Sequence, residues 1–285
     1  MDEEDPVAAT QQDLSSAPTP VVNGRTKRRS RWPLEFYRSG IGKKWVMAVS
    51  GVMLLGYVLF HMLGNLKVYF GAEDLNHYGE WLRELLVPFF PRTVTLWLLR
   101  IGLTAAFFLH IHAAYSLTRM NRRATPERYA GGRDYVAANF ASRSMRWTGI
   151  IVGLYVLFHL ADLTWGTANP GYVRGDTYNN LVNSFERWPV AIIYIVANLA
   201  LGIHIFHGTW SLFQSLGLNN PRFNEWRTTF ARGFAALVTV GNLTFPVSVL
   251  AGVIEEEPRV REQVQCETGV APPDLDCAAF EDVEG

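Results

Sequence analysis

The sequence has few charged residues, only two cysteines and no net charge. Asp, Glu, Lys and Arg make up 18% of its 285 residues, whereas soluble domains contain about 25%. The 26 basic residues balance the 26 acidic ones, which removes any bulk electrostatic case for binding nucleic acid. The charges collect near the two ends and in short loops between long apolar runs. This distribution excludes a soluble doubly wound enzyme and indicates a polytopic membrane protein.

Five segments between residues 33 and 254 are long and apolar enough to cross a bilayer, which takes about 20 residues per helix. They are residues 45–69, 94–118, 147–165, 189–216 and 234–254. Tryptophans lie near several of the segment ends, as in the aromatic belts of membrane proteins. The expected fold is therefore all-α, a polytopic membrane helical bundle of five transmembrane helices.

The loops between these segments predict the orientation. The stretches before the first segment and after the second and fourth are rich in Arg and Lys, while the alternate loops carry more acidic residues. By the positive-inside rule, the N-terminus is cytoplasmic and the C-terminus extracytoplasmic. Residues 1–32 lack the apolar core of a signal peptide and are expected to be a disordered cytoplasmic extension. Residues 255–285 form an acidic extracytoplasmic tail that contains Cys266 and Cys277.

An internal repeat relates the first four segments. The run Tyr57-Val-Leu-Phe-His61 in the first segment recurs as Tyr155-Val-Leu-Phe-His159 in the third, and the run that starts at His112 in the second resembles the one that starts at His207 in the fourth. The sequence therefore predicts two related helical hairpins plus a fifth helix, with a site near the pseudo-symmetric centre.

Histidines are the main candidates for function. Six of the seven lie inside the predicted spans: His61, His110, His112, His159, His204 and His207. Imidazole in hydrocarbon is expensive, so these side chains are candidates for function, although they could serve only as interhelical hydrogen-bonding groups. His61 and His159 fall in the outer half of the membrane, and the other four lie toward the inside. Two imidazoles from different helices in each layer are what bis-histidine haem iron requires.

Three charged residues lie with the outer layer. Lys67 follows His61, Asp162 lies one turn after His159, and Arg100 is six residues into the second segment. Lys67 and Arg100 could bind an anionic cofactor, either through haem propionates or as partners of an anionic cluster. Alternatively, Lys67 reaches the interface and Arg100 forms an ion pair with Asp162.

Several motifs resemble those of a known family. They include Phe36-Tyr-Arg-Ser-Gly-Ile-Gly-Lys-Lys44, Phe60-His-Met-Leu-Gly-Asn65, Asn76-His-Tyr-Gly79, His112-Ala-Ala-Tyr115, Phe158-His-Leu-Ala-Asp162 and His204-Ile-Phe-His-Gly-Thr-Trp-Ser211. In these the chain resembles the membrane-anchor (cytochrome b) subunit of succinate dehydrogenase/fumarate reductase, in its single-chain, five-helix, actinobacterial-looking branch.

The resemblance implies an anchor in a bacterial plasma membrane, with a flavoprotein and an iron–sulfur subunit on its cytoplasmic face. Electrons from succinate would pass to menaquinone or another quinone, and the whole complex could oligomerise. The chain itself shows no dicarboxylate or flavin site. By resemblance, His61 and His159 would bind an outer haem b, and His112 and His204 an inner one.

Two features leave the cofactor open. His207 shares a helix face with His204, so either could reach a metal, and the unused inner histidines could bind quinone or relay protons. Cys266 and Cys277 with His61 and His159 would also make the ligand set of a Rieske-type [2Fe–2S] centre. The simpler alternative is a disulfide between the two cysteines, which suits an oxidising compartment.

The quinone site is marked only by polar side chains near the cytoplasmic ends of the segments. Quinone carbonyls need hydrogen-bond donors at the edge of an apolar pocket, and the candidates are Arg38, Ser39, Trp45, His110 and Trp210. Most of them could equally be ordinary interfacial residues. Two other functions stay open, the cytochrome b subunit of another membrane dehydrogenase and a haem-free quinone-binding anchor, and a proton-coupled transporter fits less well.

Overall fold

A computed structural model describes residues 32–124, 136–218, 220, 222, 224–278 and 280, and all of the regular structure in these residues is helical. The helices are α1 (Trp32–Arg38), α2 (Gly40–Asn65), α3 (Ala72–Arg83), α4 (Val94–Ala124), α5 (Val136–Leu163), α6 (Thr177–Glu186), α7 (Trp188–Ser215), α8 (Asn224–Leu250) and α9 (Pro258–Thr268), with a 3-10 turn at Leu66–Phe70. The all-α prediction is confirmed. The predicted N-terminal extension lies outside the described residues, apart from Trp32.

Five of these helices are long and apolar enough to cross a membrane, so the predicted number of spans is confirmed. Their cores are those expected from hydropathy, but several helices are longer. The fifth was expected to begin at residue 234, whereas α8 begins at Asn224. Hydropathy detects only the apolar part of a helix, and the first turns of α8 contain polar residues such as Glu225 and Arg227 that continue the same hydrogen-bonded ladder.

The spans form two hairpins and an added helix. Helix α2 packs along α4, α5 packs along α7, and α8 packs along α7, which agrees with the expected duplication. Large apolar side chains on the outside of the spans face away from the protein, as with Phe108, which is 64% exposed. In a membrane these side chains contact lipid rather than water.

Close packing of α7 on α8 depends on a glycine. A β-carbon at Gly202 would overlap the hydroxyl and β-carbon of Thr239 on α8. Small residues of this kind let two membrane helices approach closely. Gly208 lies on the same helix, but a β-carbon there would meet nothing within 4 Å.

We therefore expect Gly202→Ala to destabilise the detergent-solubilised protein by about 1–3 kcal/mol, the usual effect of overpacking. Gly208→Ala is the matched control and should be neutral or slightly stabilising, because alanine is the better helix former. Thermal unfolding of both variants checks this. Equal melting temperatures would show that the α7–α8 contact tolerates a methyl group at this position.

Three short helices, α3, α6 and α9, close one end of the bundle, here called the capped end; the other is the loop end. Asp176 is completely buried and holds them together. Its carboxylate accepts hydrogen bonds from the Asn179 backbone (3.2 Å) at the start of α6 and from Asn76 of α3 (3.2 Å). Arg261 of α9 lies 3.5 Å from the same carboxylate. These helices were not expected from the sequence, because they are short and largely polar.

The tail is part of this cap. Glu257 accepts a hydrogen bond from the Ala72 backbone at the start of α3 (3.1 Å), and its own backbone exchanges two hydrogen bonds with the side chain of Asn179. Burial and the nearby Glu257 carboxylate raise the pKa of Tyr178. Burial, together with the like charge of Glu256, likewise raises the pKa of Glu186. The cap thus brings together acidic groups from the connection between α5 and α7 and from the tail.

Candidate metal centre

The first histidine pair lies toward the capped end. The rings of His61 on α2 and His159 on α5 have centres 5.8 Å apart and planes at 70°. One turn earlier on each helix, a tyrosine contacts the imidazole, Tyr57 beside His61 and Tyr155 beside His159. The predicted outer-layer histidines are therefore neighbours in the structure.

The second pair joins α4 to α7. The rings of His110 and His204 have centres 6.4 Å apart, also at 70°. His110 Nδ1 lies 3.2 Å from the Met47 carbonyl and 3.4 Å from the Ser50 hydroxyl. His204 Nδ1 lies 3.3 Å from the Thr148 hydroxyl and also bonds the backbone of Met145. The second pair is thus held from α2 on one side and from α5 on the other.

In all four histidines it is Nδ1 that meets a neighbouring polar group. His61 Nδ1 lies 3.0 Å from the side-chain amide of Asn65, and His159 Nδ1 lies 3.4 Å from the Tyr194 hydroxyl. A carbonyl can only accept, so His110 must carry its proton on Nδ1, and Nε2 then keeps its lone pair. Metal-ligating histidines are oriented in this way, with the outer nitrogen hydrogen-bonded and the inner one bound to the metal.

The spacing of each pair fits one metal between two imidazoles. Imidazole nitrogens bind metal ions at about 2.0–2.1 Å, so imidazoles on opposite sides of one ion have ring centres about 6 Å apart. The observed separations are 5.8 and 6.4 Å. On both α2 and α5, 11 residues separate the hydroxyl residue of the second pair from the histidine of the first. At 1.5 Å per residue, the two pairs lie about 16 Å apart along the bundle.

The second pair rests on a repeated motif that the sequence contains. Met47, Ser50 and Gly51 recur 98 residues later as Met145, Thr148 and Gly149. A β-carbon at either glycine would lie 3.4–3.5 Å from Cε1 of the facing histidine, His110 or His204. Each glycine therefore gives the ring room, and the hydroxyl residue before it reaches Nδ1. This signal was present in the sequence but was not recognised.

The resemblance implied that His204 pairs with His112. In the structure His204 instead lies beside His110. His112 is exposed, and its Nδ1 is in contact with the Tyr37 hydroxyl of α1, the two rings stacking at 5.7 Å between centres. Residues two apart on a helix point about 200° away from each other, so only one of the two histidines can face α7. His207 is half-buried and packs beside Phe206.

Cys266 and Cys277 form a disulfide in the structure. The predicted ligand set of these cysteines with His61 and His159 is therefore not assembled, since sulfurs bonded to each other present no thiolate to iron. In the described part of the chain, no group of three or more His, Cys, Asp or Glu side chains is placed to hold a metal ion. The histidine pairs are two-ligand arrangements, which suit a metal whose other ligands come from a cofactor.

The charged residues near the first pair are arranged differently from the expectation. Asp162 is completely buried, and its ion pair is with Arg187 (2.6 Å), so the proposed Arg100–Asp162 pair is wrong. Arg187 lies at the start of α7 and reaches Asp162 because the chain folds back through α6. The guanidinium of Arg100 lies over the Trp97 ring at 5.2 Å. Lys67 is 3.9 Å from Asp74.

An apolar groove of about 460 Å³ lies between α2 and α4, near the second pair. Trp45, Ser50, Met53, Gly102 and Ala106 are among the residues that line it, and Phe36 of α1 closes one side. Of the predicted quinone residues, only Trp45 lines the groove, while His110 adjoins it through Ser50. Ser39 caps α2 by accepting from the Gly42 backbone, Arg38 ends α1, and Trp210 lies on α7, away from it.

Part of the chain matches a known protein family. Residues 118–243, from the end of α4 to most of α8, match the family described as succinate dehydrogenase/fumarate reductase transmembrane subunit. This stretch contains His159, His204 and both helices of the second hairpin, α5 and α7. No curated protein and no solved structure matches the chain.

Proposed function

We propose that the chain is the electron-transfer anchor of a succinate:quinone oxidoreductase, a proposal supported by the match of residues 118–243 to the family of succinate dehydrogenase/fumarate reductase transmembrane subunits. It passes electrons from an iron–sulfur subunit to a membrane quinone. Oxidation of succinate takes place in the partner flavoprotein. The chain contributes the spans, the redox cofactor ligands and the quinone site.

The observation that carries this proposal is the presence of two imidazole pairs at two levels of one bundle. The ring-centre spacing of each pair and the hydrogen-bonded Nδ1 atoms support its assignment to bis-histidine haem iron. Haem b, when bound, supplies one-electron transfer without an open position for oxygen. His61 and His159 would hold one haem, and His110 and His204 the other. The hydrogen bonds at Nδ1 keep each ring oriented and each Nε2 available.

The two cationic side chains near the first pair suit the carboxylates of such a cofactor. Arg100 lies at membrane depth on α4, where an unneutralised charge is costly, and its guanidinium lies over the Trp97 ring. Lys67 lies on the turn that follows α2 and only loosely approaches Asp74. We assign Arg100 to an anionic group of the cofactor, with Lys67 at its outer edge.

We propose that the loop end faces the cytoplasm and the capped end the outside of a bacterial plasma membrane. Arg122 and Arg123 in the last turn of α4 and Arg227 near the start of α8 lie at the loop end, as the positive-inside rule requires. The disulfide of the tail lies at the capped end, which fits an oxidising compartment. The flavoprotein and iron–sulfur subunits would then dock at the loop end, close to the His110–His204 pair.

We propose that the α2–α4 groove binds the quinone. It opens between two spans and is lined almost entirely by apolar side chains, together with the Trp45 indole and Ser50, whose hydroxyl donates to the Val46 carbonyl at 2.7 Å. Volumes of about 300–1,000 Å³ with a few polar groups are typical of small-molecule sites. Ser50 contacts both the groove and His110, so a bound quinone ring would lie beside the second pair.

Gly102 allows a test of the groove. A β-carbon there meets nothing within 4 Å, so Gly102→Leu should fill the groove without clashing with the protein. We expect about a tenfold rise in the KM for quinone, equivalent to about 1.4 kcal/mol, with the haem spectrum unchanged. Gly153→Leu on α5, which also points into open space, is the control. An unchanged KM in the Gly102 variant would exclude quinone from this groove.

The function as a whole is tested by the dithionite-reduced minus oxidised visible spectrum of the purified complex, with EPR and iron analysis of the same sample. We expect b-type haem bands and low-spin EPR signals that belong to this subunit. The absence of any such signal from this chain would make it a passive quinone-binding anchor and would overturn the assignment of both histidine pairs.

A further inference from the structure

A completely buried carboxylate lies one turn beyond the first histidine pair. Asp162 follows His159 on α5, and both of its oxygens are occupied. Oδ1 accepts a hydrogen bond from Arg187 at 2.6 Å. Oδ2 accepts from the Tyr194 hydroxyl at 2.9 Å and from the Ser184 hydroxyl. A carboxylate buried in this way is normally paired, and here one cation and two hydroxyls satisfy it.

Tyr194 connects this carboxylate to His159, a candidate metal ligand. Its hydroxyl lies 2.9 Å from Asp162 Oδ2 and 3.4 Å from His159 Nδ1. A hydroxyl has one proton, and the carboxylate can only accept. Tyr194 therefore donates to Asp162 and accepts from the Nδ1–H of His159. This order fixes the tautomer of His159, with the proton on Nδ1 and the lone pair on Nε2.

The arrangement is absent from the other half of the repeat. The 98-residue spacing that relates His61 to His159 places Gly64 at the position of Asp162. The 94-residue spacing between His110 and His204 places Arg100 at the position of Tyr194. His61 is instead held by the neutral amide of Asn65. By contrast, the two histidines of the second pair have equivalent surroundings. Each lies beside the backbone of a methionine and the hydroxyl of a Ser or Thr side chain.

We propose that Tyr194 and Asp162 are positioning residues for His159. Through Tyr194, the buried carboxylate makes His159 the more electron-donating ligand of the first pair and lowers the midpoint potential of the metal group bound there. This inference rests on the proposed function, namely that His61 and His159 bind a redox metal. Negative charge near a metal favours its more positive, oxidised form, and outer-shell partners of ligating histidines act in this way.

The test is potentiometric titration of the purified complex, followed by visible and EPR spectroscopy. Asp162→Asn should raise the midpoint of the metal group that depends on His159, with about a tenfold change in its reduction equilibrium, which corresponds to 59 mV for one electron. Tyr194→Phe should shift it in the same direction. The group at His110 and His204, about 16 Å away by helix rise, should keep its midpoint in both variants.

Two further variants separate positioning from a purely structural role. Ser184→Ala removes a hydrogen bond to the same carboxylate but leaves the Tyr194 bridge and the charge, so its shift should be the smallest. If Asp162→Asn does not accumulate, Tyr194→Phe carries the test, because its ring keeps the contacts with Phe185 and Tyr155. A structural role alone would lower stability with an unchanged midpoint and unchanged EPR g-values.

The two possible failures can be distinguished with His159→Ala. If the wild-type complex contains no metal signal that this variant removes, the proposed function fails at the first pair, and this inference is overturned with it. If the signal is present and His159-dependent but its midpoint does not move in Tyr194→Phe or Asp162→Asn, the proposed function stands and only the positioning role is overturned.

Discussion

Replacing His110 with alanine is expected to remove one of two low-spin haem signals, whereas replacing His112 leaves both in place. The two histidines are two residues apart on α4, but only His110 faces His204, at 6.4 Å between ring centres. His112 is exposed and contacts Tyr37. Loss of one axial ligand leaves iron with a single imidazole, which abolishes the bis-histidine spectrum of that centre. Difference spectra and iron content of the purified complexes measure the effect.

His204→Ala should reproduce the His110→Ala result, because the proposal places one metal between the two imidazoles. In both variants the signal that depends on His61 and His159 should remain, since that pair lies about 16 Å away along the bundle by helix rise. Loss of the second centre in His112→Ala, with retention in His110→Ala, would contradict the geometry. It would return the ligand role to the residue that the family resemblance selected.

The choice between His110 and His112 shows where the sequence stopped being informative. Hydropathy and the repeat were enough to predict five spans, two hairpins and the histidine-rich layers, since these depend on composition and period alone. The rotation of α4 about its axis depends on its packing against α2. Contacts with Met47 and Ser50 turn His110 inward, and no spacing within α4 itself indicates this.

The capped end was missed for a different reason. Helices α3, α6 and α9 have 10–12 residues each, below the length at which hydropathy detects a span. They are stabilised by long-range polar contacts such as that of Asp176 with Asn76, 100 residues apart in sequence. The same fold-back brings Arg187 to Asp162. An ion pair between Arg100 and Asp162 was therefore a plausible expectation that only the position of α6 could exclude.

The two histidine pairs also differ in the side chains that surround them. The second pair is symmetric and adjoins the proposed quinone groove through Ser50. The first pair is asymmetric, with a buried carboxylate behind His159 and a cation, Arg100, on the opposite hairpin. Duplication of the hairpin alone would have given each pair two equivalent histidines. The difference between Gly64 and Asp162 breaks this equivalence in the first pair, so the proposed metal groups are expected to have different potentials at the two levels.

His159→Ala or His61→Ala is expected to remove the capped-end centre completely, while a double Cys266→Ser, Cys277→Ser variant retains it. The two rings are the only histidines within reach of each other at this level among the described residues, so either loss leaves one ligand. The cysteines are bonded to each other in the tail and contribute to its stability, by about 2–4 kcal/mol for a typical disulfide.

The measurements are the haem difference spectrum, EPR and iron content, with the tail's melting temperature recorded in the double cysteine variant. The expected outcome is a less stable tail with an unchanged metal signal. A [2Fe–2S] EPR signal lost in both the histidine and the cysteine variants would contradict it. That result would mean that the two cysteines are reduced and bind iron together with His61 and His159. The tail would then supply ligands to the centre in addition to packing against the capped end.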